Sequence, residues 1–177
     1  MRTALNRLFD AAAYLAAACV LAILVLMIGA SVGRMIGARV GAANDIVAWL
    51  CAAAAFLAMA HAFKNGDFVR VTLVLEKLSP GPRRVLEVLS LAIAAVAVGY
   101  LAYWAARFTW ESWKFEDIAG GMVAIPMWIP QMSFVVGALL LWLAVLDELL
   151  IVLRGGTPTY VRLVAERHAQ GDFSADL

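Results

Sequence analysis

The chain has 177 residues and a formal net charge of +1; 64% of its residues are hydrophobic and 15% are charged, against roughly a quarter charged in an ordinary soluble domain. A chain this short cannot fold so much apolar surface away from water, so its natural solvent is a lipid bilayer. Near-neutral charge gives no field that would gather nucleic acid or an acidic substrate, and the information lies in where each basic residue falls.

Four charge-poor stretches are long enough to cross a hydrocarbon core of about 30 Å, which takes about 20 helical residues. The first is expected over residues 11–33, between Asp10 and Arg34. Arg2 and Arg7 precede it as they would a secretory signal, but its apolar run exceeds the roughly 7–15 residues of such a signal, so it reads as a retained span. The second is expected over residues 46–63, opened by Asn44 and Asp45, which suit a helix N-terminus, and closed by His61 and Lys64. Cys19 and Cys51 lie inside these two runs among alanines, where a thiol acts as a small hydrophobe and no disulfide is expected.

After the second span, Phe68, Val71, Leu75 and Leu78 fall at helical spacing while Arg70, Glu76 and Lys77 lie elsewhere around the helix. Residues 67–78 therefore read as an amphipathic helix in the membrane interface. Val69, Val71, Leu73 and Leu75 also alternate as a short strand would, but a lone strand at a membrane surface has no partner. The third span is expected over about 85–107, with Ser79 able to cap a helix whose first turn holds Pro80 and Pro82.

The connection from Thr109 to Gln131 carries Trp110, Trp113 and Trp128, the acids Glu111, Glu116 and Asp117, the Gly120-Gly121 pair, and Pro126 and Pro130. Its tryptophans fit either an interfacial aromatic belt or a docking surface for a partner. The fourth span is expected over 130–153, stopped by Arg154, Gly155 and Gly156 and followed by a tail over 154–177. In lipid, helices alone satisfy backbone polar groups over such runs, so the fold class is an all-α integral membrane protein. It has four transmembrane helices, an interfacial helix between the second and third, and one domain over 1–177.

Lysines and arginines divide ten to four between the two sides of the membrane, counting the termini and the second connection against the first and third. The positive-inside rule then puts both termini in the cytoplasm and Glu111, Glu116 and Asp117 outside. The span midplanes carry no ionisable residue that would mark a proton relay or substrate site. His61 is the single histidine in a span, with His168 in the tail, so paired haem ligation is not expected. No C-x-x-C, H-E-x-x-H, G-x-S-x-G or phosphate-binding glycine loop occurs, so no enzyme activity, cofactor or metal is expected.

The remaining charges sit near the water boundaries. Asp147 and Glu148 fall near the inner end of the fourth span, where Arg83, Arg84 and Arg154 should also lie, and an ion pair closing the bundle is preferred to an ion pathway. Glu87 follows Arg83 and Arg84 by one turn, as a helical ion pair would. Arg34, Arg39 and Asp45 can pair at the outer face. Gly29 and Gly33 form a G-x-x-x-G, a weak signal for close helix packing.

With these features the chain resembles the small membrane subunit, the DctQ-type small permease, of tripartite ATP-independent periplasmic (TRAP) transporters. The resemblance rests on Lys64-Asn65-Gly66-Asp67-Phe68-Val69-Arg70-Val71 and on Ile125-Pro126-Met127-Trp128-Ile129-Pro130-Gln131, and runs from the first span to about Gly156. Family members usually read glycine, histidine, then V-R-V-D. This chain keeps Gly66, Val69, Arg70 and Val71, with Asp67 and Phe68 in place of the histidine and Thr72 in place of the aspartate.

The resemblance implies a scaffold in the bacterial inner membrane. Beside it a large membrane subunit carries the ion and substrate sites, and a periplasmic solute-binding protein delivers an organic acid or related solute. Arg70, Arg83 and Arg84 would pin the interfacial helix and the inner ends of the spans, and the loop around Trp110 to Trp128 would lie near the binding protein. A free-standing small transporter or channel is the alternative, but a small exporter would carry a carboxylate in its first span, and none lies between Asp10 and Asp45.

Overall fold

The computed structural model describes residues 2–37, 41–68 and 80–169. Within them are the helices α1 (Arg2–Met35), α2 (Ala42–Asn65), α3 (Pro80–Lys114), α4 (Trp128–Leu153) and α5 (Thr159–Ala169). The first four are long and apolar enough to cross a membrane. Among the described residues there is no strand, only an isolated bridge between Ile118 and Pro126. Arg70 and nearly all of the amphipathic segment expected at 67–78 lie outside the described residues.

The helices outrun the apolar stretches that announce them, because charged residues near a helix end do not oppose helix formation. Arg107 and Glu111, one turn apart, form an ion pair of 3.0 Å that carries α3 beyond residue 107. Trp110, Glu111 and Trp113, expected in a connection, are therefore helical, and the connection shrinks to residues 115–127. α4 begins at Trp128 and holds Pro130 in its first turn, where a missing N–H has no helical acceptor to lose.

Three helices stop on left-handed glycines, the first of them α1, whose Gly37 takes φ 79° and donates its N–H to the Arg34 carbonyl at 3.2 Å. Gly66 takes φ 81°, with its N–H donated to the Phe63 carbonyl at 3.3 Å and the Asp67 N–H donated to Ala62 at 3.1 Å. Gly155 takes φ 85°, and the N–H groups of Gly155 and Gly156 are donated to Val152 and Ile151, each at 3.0 Å. Glycine enters this conformation without a Cβ penalty, and the paired bonds satisfy carbonyls that a helix end leaves open.

In space α1 packs on α2, α2 on α4, and α4 on α3, while α5 rests on α2. Consecutive helices α2 and α3 are thus separated by α4. Gly137 explains part of this choice: a Cβ there would sit 2.5 Å from the Phe56 backbone, so only glycine lets α4 come this close to α2. Phe56 and Phe134 meet edge to face beside it at 4.2 Å.

On its other side α4 presents Trp142, whose indole fills the space left by Gly99 and donates to the Ala95 carbonyl at 3.0 Å. A core of Phe9, Ala12 and Ala16 from α1, Ala53, Leu57 and Ala60 from α2, and Leu140 and Ala144 from α4 closes the other seam. Gly29 faces open space, whereas the space beside Gly99 and Gly137 is filled by a neighbouring helix.

Candidate functional site

At one end of the helix layer the start of α1, the end of α2 and the end of α4 meet α5 around a buried lysine. Lys64, in the last turn of α2, donates to Asp147 Oδ2 at 2.6 Å and to Asn6 Oδ1 at 3.4 Å, and stands 3.9 Å from Glu148 Oε1. Its ammonium also lies 5.4 Å from the centre of the Phe9 ring. Glu148 is fully buried, at 0% exposure. Its Oε2 accepts the Thr159 N–H at 2.8 Å, while Oε1 has no hydrogen-bond partner.

Removing such charges from water costs several kcal/mol per ion. The cluster offsets that cost by setting one cation against two carboxylates and by turning the N-terminus of α5, with its partial positive charge, toward Glu148. The acids were expected to meet Arg83, Arg84 or Arg154. The structure sets them against Lys64 at the end of α2, the helix whose last turn reaches both carboxylates.

Arg84 instead donates to the carbonyls of Val152 and Leu153, at 3.2 and 3.3 Å, capping the C-terminus of α4 where a cation complements the helix dipole. Arg83 pairs with Glu87 at 3.2 Å, and Arg154 is exposed. Around the cluster, His61 Nδ1 lies 3.1 Å from Asp10 and its Nε2 lies 2.7 Å from Asn65 Nδ2. Lys64 was readable only as the residue closing the second span. Span parity places it at the same end as Asp147 and Glu148, and that parity is the signal in the sequence that points to the pairing.

The opposite end carries the tryptophans. Trp110 and Trp113 are both exposed, with ring centres 5.0 Å apart, and with Trp128, Met132 and Val135 they line a shallow apolar groove between α3 and α4. Glu111 is held by Arg107, whereas Glu116, at φ 52°, and Asp117 are exposed. The connection is folded back on itself: the Met127 N–H is donated to the Asp117 carbonyl at 2.8 Å and the Ala119 N–H to Ile125 at 2.9 Å.

Asp45 anchors this connection to α2 by accepting the Met122 N–H at 2.8 Å. Arg34, expected to pair at this face, folds back onto the Ala30 carbonyl at 3.3 Å, and Arg39 lies outside the described residues. Between the two ends, α1 to α4 carry no Asp, Glu, Lys or Arg. Among the described residues no three His, Cys, Asp or Glu side chains gather as metal ligands would.

Four long apolar helices with their charges confined to the ends define a multi-pass helical membrane protein. Residues 23–155 match the family described as tripartite ATP-independent periplasmic transporters, DctQ component; the chain belongs to that family and is the small permease component of a TRAP transporter. The family is a transporter component and not an enzyme family. No curated protein matches the chain.

Proposed function

We propose that this chain is the stationary scaffold of its transporter, holding a large transport subunit while that subunit carries out ion-coupled uptake of an organic acid or related solute. A periplasmic binding protein delivers the solute, the membrane is the bacterial inner membrane, and both termini face the cytoplasm. The observation that carries this reading is the confinement of charge to the two helix ends in a member of this family, since a subunit that itself moved ions would keep ionisable groups at mid-depth.

Large apolar side chains exposed along α1 and α3, among them Tyr14, Val25, Val96 and Tyr100, supply the surface that lipid and the large subunit cover. Glu111, Glu116 and Asp117 at the tryptophan end are the groups a soluble partner meets. Co-purification tests the first part: the chain should bring down a second polytopic subunit, and recovery of the chain alone under mild extraction counts against a scaffold. For the second part, reversing the three acids to lysine should slow uptake more at low ionic strength than at high. Uptake unchanged at either salt concentration removes the docking role.

A further inference from the structure

We propose that α5 is a strap across the inner end of the helix layer, latched at its start by Glu148 and at its far end by Arg167. α5 lies beyond the residues the family match covers, yet both of its fastenings reach residues inside them. Glu148 is fully buried, and its hydrogen bond is the one from the Thr159 N–H at 2.8 Å. Lys64 does not supply a second such bond: it donates to Asp147 at 2.6 Å and forms only a longer ion pair, at 3.9 Å, with Glu148 Oε1, which has no hydrogen-bond partner.

The buried carboxylate takes its hydrogen bond from α5 and would exchange the Thr159 N–H for water when α5 lifts, which gives the strap a second state. At the far end Arg167 donates to Asp67 Oδ1 at 3.2 Å and to the Asn65 carbonyl, so the same strap fixes the exit of α2. Gly66 makes this seat possible, because a Cβ there would lie 2.8 Å from the Val164 side chain.

Thr159→Pro deletes the donated N–H while leaving every buried charge in place, and proline is tolerated at a first helical position. Thr159→Ala keeps the N–H. With the full chain in lipid nanodiscs, amide exchange across residues 160–169 should be at least about tenfold faster in Thr159→Pro, as expected for losing a bond to a charged group, and within about twofold of wild type in Thr159→Ala. Wild-type protection in Thr159→Pro overturns the latch, as does equal loss in both variants. Should Thr159→Pro fail to fold, Arg167→Met decides: faster exchange at residues 65–68 and in the second half of α5 supports the strap, and unchanged exchange at both overturns it.

Discussion

Lys64 shows how one side chain can set the arrangement of a membrane protein. Asp147 and Glu148 stand side by side near the end of α4, and without an opposing cation their burial would be prohibitive. Breaking such a pair from one side costs about 3–5 kcal/mol, so Lys64→Met should lower thermal stability in detergent by several degrees. Adding Asp147→Asn and Glu148→Gln to Lys64→Met should recover part of the loss. Equal destabilisation in the single and triple variants would mean that the lysine acts through packing on Phe9 and not through charge. The ring lies 5.4 Å away, close enough for that outcome to be measurable.

Among the helices, α4 is the one most enclosed by protein, and its glycine is what brings α2 so near. Replacing Gly137 with leucine should force α2 and α4 apart and destabilise the chain by about 1–3 kcal/mol. Gly29→Ala, with open space around the new methyl group, should be neutral or stabilising by up to about 1 kcal/mol; both are read by thermal unfolding. The four apolar runs were legible from charge-free length alone, because lipid leaves a backbone few other options.

The ends of the helices were less legible. Nothing in the stretch Thr109–Lys114 separates a helix continuing into water from a loop until the Arg107–Glu111 spacing is considered. Which helices touch was not legible at all. A glycine such as Gly137 marks a close approach only once the backbone opposite it is known, and the pairing of Asp147 and Glu148 with Lys64 follows from α2 lying beside α4.

At the scale of the whole molecule, the helices form an open row in which α1 and α3 are the flanks, each with one principal neighbour. Both broad sides stay available to lipid and protein without disturbing the internal seams. The placement of both termini in the cytoplasm can be checked by cysteine labelling in a Cys19→Ala, Cys51→Ala background. A membrane-impermeant maleimide added to intact cells should label Met122→Cys and spare Thr157→Cys, both being exposed positions at opposite ends. The reverse pattern would invert the topology and move the acidic, tryptophan-bearing end to the cytoplasm, away from any periplasmic partner.

The lysine also has a bearing on biogenesis. Asp147 follows Lys64 by 83 residues, which at about 5–20 residues per second is roughly 4–17 s of translation. For that interval α2 has entered the membrane while its counter-charges have yet to be synthesised. α3 emerges first, yet α4 is the helix that must come to rest beside α2. The end of α2 therefore waits at the water boundary with a hydrated ammonium. The seam between α2 and α4 closes only after the last span has arrived, and α5 follows it out of the ribosome.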